Sequence, residues 1–216
     1  MRVEVWSDIM CPWCYIGKRR LEQALAGFEH AAGVVVEWRS FQLDPGQPKG
    51  VREPVYESLA KKTGRSPAQV REMTDHVKGL AAREGLEYDF DRAFVANSFD
   101  AHRLTHLAKT LGLGAETHER FMRANLVEGE ILDDHDTLVR LAAEVGVPAG
   151  EARRVLAGDD HAEDVAADIA QAHAFGATGV PFFVLDRTYG VSGAQPVSTF
   201  TSALRTAHEH AARAGR

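Results

Sequence analysis

The chain's two cysteines stand three residues apart, Cys11 and Cys14 in the run SDIMCPWCYIGKRRLE, and no other cysteine occurs in 216 residues. Thiols at this spacing can exchange disulfides, hold half of a metal site, or fill a core inertly. The residues around them separate these readings. Pro12 suits the first position of a helix, because its φ is fixed and its missing N–H would have been unpaired there. Cys11 then occupies the N-cap, beside backbone N–H groups at the positive end of the helix dipole, where a thiolate is favoured over a thiol. Cys14 lies one turn in, with Leu21, Leu25 and Phe28 on the apolar face. This asymmetry predicts the roles: Cys11 attacks or is attacked, and Cys14 resolves the mixed disulfide. A zinc site would need two further ligands from His, Asp or Glu, or from a second subunit. Inert burial would need a later helix start, against which Pro12 argues. The pair is read as a redox dithiol, with no metal.

The elements that must position these thiols follow from hydrophobic periodicity. Residues 2–7 (RVEVWS) read as a strand, 8–10 as a turn, 12–30 as a helix stopped by Gly33, and 34–43 (VVVEWRSFQL) as a second strand. DPGQPKG at 44–50 is a linker, and from Pro54 to Gly176 the signals are helical only. Ser66-Pro67 with Gln69 forms a capping box. Leu104, Leu107, Ala108 and Leu111 form one apolar stripe, Leu138, Leu141, Ala142 and Val145 a second, and Val165, Ile169 and Ala172 a third. Strand character returns at 180–186 (VPFFVLD), with a turn at Asp186-Arg187 and a strand at 188–192. A last helix runs from Pro196 with Val197, Phe200, Leu204 and Ala211 on its apolar side.

The order is β-α-β, helical insert, β-β-α. The predicted class is α/β: residues 1–50 and 177–216 form a discontinuous domain sharing one sheet, with residues 51–176 as an all-helical insertion. A second chemical signal sits at the return to strand. Val180-Pro181 precedes an apolar strand, and paired with the helix of cysteines it suggests a cis-proline loop against the thiols. Val180 there could offer its backbone N–H and C=O to an extended substrate peptide.

CPWCYIGKRRLE, NSFDAHRLTHLAK (97–109) and GVPFFVLDRTYGVSGAQ (179–195), in this order of elements, resemble the DsbA family of thioredoxin-fold proteins, and within it the FrnE-like branch. The resemblance spans nearly the whole chain. It implies a thiol-disulfide oxidoreductase or isomerase with nucleophilic Cys11, resolving Cys14 and cis Pro181. Pro12, Trp13, Val180, Asn97 and His102 are the expected substrate-binding residues, the last two on an insert helix facing the thiols. Capping by Asn97 or Asp100 is the plainer reading of that segment. One position departs from the pattern: Val5 stands where such enzymes carry a buried carboxylate. Asp8, Glu37 and His102 are the candidate substitutes. Related glutathione transferases of the kappa class and hydroxychromene carboxylate isomerases hold glutathione in loops comparable to Ser192–Gln195. They usually carry Ser in place of the first cysteine, so the alternative of a glutathione-dependent isomerase or transferase ranks second. A binding protein using the helical insert as an apolar surface ranks third.

Other clusters have simpler readings. His102 and His106 are spaced for a shared metal but lack an accompanying carboxylate pattern. DDHD at 133–136 reads as an acidic helix start, and Lys18, Arg19 and Arg20 as a solvated helix face. A net charge of −6 with scattered cations excludes a nucleic-acid footprint, and no long apolar run predicts a membrane span. The opening MRVEVWSD has no apolar signal-like core, so a cytoplasmic chain is expected. No bound cofactor is expected. Redox exchange with glutathione or a protein dithiol, a disulfide-containing protein or small-molecule thiol as substrate, and a homodimer are all compatible with the sequence.

Overall fold

The computed structural model describes residues 1–214. The chain order is β1 (Arg2–Ser7), α1 (Pro12–Ala26), β2 (Val35–Ser40), β3 (Glu53–Pro54), α2 (Val55–Thr63), α3 (Pro67–Arg83) and β4 (Phe94–Val95). It continues through α4 (Phe99–Thr110), α5 (Gly114–Leu126), α6 (His135–Glu144), α7 (Ala149–Ala157) and α8 (Ala162–Ala174) to β5 (Phe182–Leu185), β6 (Tyr189–Ser192) and α9 (Val197–Ala214).

The four long strands share one sheet in the order β2-β1-β5-β6, with β1 parallel to β2 and antiparallel to β5. Central β1 is buried from Val3 to Ser7, because helices cover both faces of the sheet. Its inward Glu4 is neutralised by Arg39 (2.9 Å) and Arg187 (3.0 Å), since a carboxylate at that depth must be paired. β5 and β6 are joined by Asp186 and Arg187, both with positive φ (45° and 55°), as a two-residue hairpin turn requires.

Several boundaries differ from the sequence expectation. α1 ends at Ala26 rather than His30, because Gly27 caps it and the chain tightens into a short 3-10 turn at Ala31–Gly33. β2 stops at Ser40 because its partner β1 stops at Ser7, and the Leu43 N–H turns instead to Asp8 Oδ2 (2.8 Å). β5 starts at Phe182, not Val180: the Pro181 carbonyl bonds to the Gly193 N–H (2.8 Å), outside the strand register. The segment from 54 onward is not purely helical, since β3 and β4 pair antiparallel. On α9, Phe200, Leu204 and Ala207 reach the core while Ala211 is exposed.

Two apolar cores flank α1. One joins Val3, Val5, Leu21, Phe183, Phe200 and Leu204 between sheet, α1 and α9. The other runs from Cys11, Cys14, Tyr15 and Ile16 into Phe121, Leu104 and Leu138 of the helical segment. The segment 51–176 therefore packs directly on the cysteine-bearing helix. Asp168 of α8 ties it to the sheet: Oδ2 accepts from Ser40 N (2.8 Å) and faces His106 Nε2 (3.0 Å), and Oδ1 meets Arg39 (3.2 Å). Burial pushes the Asp168 carboxyl up, but His106, Lys109 and the Ser40 N–H outweigh it and hold it below its ordinary value.

Asp168→Ala should cost about 3–5 kcal/mol near neutral pH by stranding buried partners. A depressed carboxyl contributes stability above its unfolded pKa of about 4 and loses it as pH falls through the folded value. Denaturant unfolding across pH should show wild type and variant converging in acid. A gap that persists undiminished would refute the role of the charge.

Candidate active site

Cys11 is the N-cap of α1 with extended backbone (φ −91°, ψ 114°), and Pro12 takes the first turn. The approach is fixed by backbone bonds, from Cys11 N to Asp8 O (3.0 Å) and from Cys14 N to Cys11 O (3.1 Å). The Tyr88 hydroxyl donates to Pro12 O (2.7 Å), pinning the same turn from the loop after α3. Cys11 Sγ lies 3.8 Å from Val180 O, and the Val180–Pro181 peptide is cis. Pro181 reaches this position because Gly17 has no side chain: a Cβ there would meet Pro181 Cγ at 2.9 Å. The Gly193 N–H on the Pro181 carbonyl and the Arg20 guanidinium on Ala194 O (2.6 Å) hold the loop before α9 against the same end of α1.

The two sulfurs are unbridged, and their surroundings differ. Cys14 is fully buried, and burial pushes its thiol well up; Cys11 beside it adds to this, while the Ser7 hydroxyl and the Asp8 backbone N–H act in the opposite direction. Cys11 lines a cleft of about 1030 Å³ together with Pro12, Trp13, Leu59, Phe90 and Phe94. Trp13 is the most exposed residue between the thiols, at 38%. Asp8 also lines the cleft. Burial raises its carboxyl, but His102 and the N–H groups of Leu43 and Met10 outweigh that and hold it low. The arrangement presents one thiol to an apolar cleft and keeps the other one turn behind it.

This fold and site have counterparts. A family model described as DSBA-like thioredoxin domain matches residues 2–205. The chain belongs to the DSBA-like thioredoxin domain family. It is similar to SCO1869 of Streptomyces coelicolor, described as a probable DsbA oxidoreductase: 48% identity, TM-score 0.94, covering 97% of this chain and 90% of that one. An uncharacterized protein, YwbO of Bacillus subtilis, is 28% identical over 208 residues, 94% of this chain and 96% of that protein. The fold is shared with DsbM of Pseudomonas aeruginosa, a cytosolic disulfide reductase solved with GSH (24% identity, TM-score 0.66, 95% and 98% covered). It is shared also with a 2-hydroxychromene-2-carboxylate isomerase (15% identity, TM-score 0.70, 99% and 98% covered). A DSBA-family chain of this kind is an oxidoreductase.

Of the residues expected from sequence, Cys11, Cys14, Pro12, Trp13, Val180 and Pro181 come together at the end of α1. Asn97 and His102 do not line the cleft. Asn97 donates to Gln47 O (2.6 Å) and accepts from Phe99 N (2.9 Å), organising the start of α4. His102 is 1% exposed, with Nε2 3.4 Å from Asp8 Oδ1, so it sits behind the cleft wall. Glu37 pairs with Arg39 and Arg2 instead. Lys18, Arg19 and Arg20 are not a solvated face: Lys18 and Arg19 bind Glu119 of α5, and Arg20 binds Glu84 (2.7 Å). His106 meets Ser40 and Asp168. Ser7, Tyr88, His118 and Glu119 escaped the sequence reading, because each reaches α1 or its neighbours across a long stretch of chain.

Gly17→Val should force Pro181 and Phe183 away and lower stability by roughly 1–3 kcal/mol through overpacking, while Gly27→Ala, whose nearest outside atom would be 3.9 Å off, should be close to neutral. Thermal unfolding of both variants checks this. Equal effects would show that the Pro181 contact is not what requires glycine.

Proposed function

We propose that the protein is a dithiol-disulfide oxidoreductase in which Cys11 is the nucleophile and Cys14 the resolving thiol. The observation that carries the reading is the exposure of Cys11 to the cleft and to Val180 O at 3.8 Å, with Cys14 buried one turn behind. The Cys11 thiolate attacks a substrate disulfide RS–SR′, forming Cys11–S–SR and releasing R′S⁻, which takes a proton from solvent. Cys14, losing its proton, attacks the Cys11 sulfur; the Cys11–Cys14 disulfide forms and RS⁻ leaves to be protonated. Substrate is reduced by two electrons and the protein dithiol oxidised by two. Two equivalents of glutathione, or a protein dithiol, return the enzyme to its reduced state.

The substrate main chain would lie along Val180, whose backbone is free of the β5 register, with Pro12 and Trp13 as flanking contacts. The FrnE-like motifs around both cysteines and Val180-Pro181 support this reading, as does the similarity to a DsbA oxidoreductase. Both cysteines serve one redox pair and none remains as a structural staple, which fits work in a reducing cytoplasm. Among the described residues no helix is long and apolar enough to cross a membrane.

Cys11→Ser should abolish disulfide turnover, and Cys14→Ser should accumulate the mixed disulfide, seen as a single adduct by intact mass. Full activity of either variant would sink the assignment. A stable one-glutathione adduct on wild-type Cys11, with no internal disulfide forming, would move it to the glutathione-dependent isomerase class.

A further inference from the structure

The resolving sulfur must become an anion in a place without water, so the groups around it decide how fast it works. Ser7, the last residue of β1, is fully buried and its hydroxyl bonds toward the Cys14 sulfur. The same hydroxyl lies 3.0 Å from His118 Nε2 of α5, 111 residues away. The His118 ring is 2% exposed and stacks on Trp38 of β2 with centroids 4.5 Å apart. Its Nδ1 has no hydrogen-bond partner among the described residues. A buried N–H left without an acceptor is rarer and costlier than a buried acceptor left bare. The proton therefore belongs on Nε2, which donates to Ser7 Oγ, and that leaves the Ser7 O–H free to donate to Cys14 Sγ.

We propose that Ser7, oriented by His118, is a catalytic hydrogen-bond donor to Cys14 that stabilises the resolving thiolate. The inference rests on the oxidoreductase reading above and extends it to one residue at the reacting atom, Ser7, and one positioning residue, His118. A neutral chain of donors suits this position. Burial pushes His118 well below its ordinary value, and His102 and Lys109 of α4 with Lys18 of α1 push further, so the imidazole stays neutral beside Cys14. Facing Cys14 itself are Cys11, Tyr88, Ser7 and the Asp8 N–H. In the resolution step the Cys14 proton passes to solvent through the cleft, the Ser7 O–H bond shortens onto the new anion, and the departing substrate thiolate takes up a proton.

The test separates this idea from the reading beneath it by following Cys14 without turnover. In a Cys11→Ser background Cys14 is the single thiol, and its ultraviolet thiolate absorbance can be titrated. Adding Ser7→Ala should move that titration to higher pH by about one unit, and in the Cys11-containing enzyme should slow resolution roughly tenfold near neutrality. Mixed-disulfide formation by Cys11, measured in a Cys14→Ser background, should be unchanged by Ser7→Ala. His118→Leu should shift the Cys14 titration in the same direction, whereas His118→Gln, which keeps an N–H at that reach, should restore most of it. An unshifted titration in folded Ser7→Ala overturns the proposal. Equal shifts in His118→Leu and His118→Gln overturn the part assigned to His118. Loss of disulfide turnover in wild type, with the titration shifts intact, would count against the oxidoreductase reading alone.

Discussion

The Cys14 sulfur is buried to the last percent at the first turn of α1, and this burial imposes most of what surrounds it. A thiolate in an apolar setting is costly, so the neighbourhood must supply donors, and Ser7 and the Asp8 N–H do so. Burial also makes Cys14 reachable only from the Cys11 side. The order of events, outside thiol first and inner thiol second, is thus a consequence of packing rather than of any difference between the two cysteines as chemical groups.

Holding that turn in place takes contributions from distant parts of the chain. The sheet side supplies Pro181 seated on Gly17, and the helical segment supplies Tyr88 on the Pro12 carbonyl. Glu119 gathers Tyr15, Lys18 and Arg19 along the next turns of α1, and Glu84 takes Arg20 and Gln23. Those ion pairs are half-buried and shared among several partners, a setting in which electrostatic ties position a helix as well as stabilise it. The residues between β2 and β5 are therefore part of the site's framework.

What could be read from sequence is what is local. Cysteine spacing, Pro12 at a helix start, Val180-Pro181 before an apolar strand and the capping box at Ser66 each act within a few residues, and each stands where expected. The joining of β1 and β5 in one sheet followed from the need of lone strands for partners. The failures have the opposite character. β3 and β4 are two residues long, too short to show a period; Ala211 is apolar but small enough to be exposed at little cost. Lys18 to Arg20 looked solvated because their carboxylate partners lie 64 to 100 residues away. Ser7 and His118 carry no motif at all.

Asp8 illustrates why proximity to a thiol does not make a proton acceptor. Its carboxylate already accepts from Leu43 N and Met10 N and faces His102, and these contacts hold its proton affinity down. A carboxylate so satisfied keeps its charge and declines the proton, so Asp8 is better suited to fixing the turn before Cys11 and the chain after β2. The two sides of the active helix turn are then built on different principles. A permanent charge, fully bonded, shapes the cleft where substrate arrives. A neutral hydroxyl and imidazole sit where a transient anion must form, so the charge of the resolving step meets dipoles rather than an opposing carboxylate.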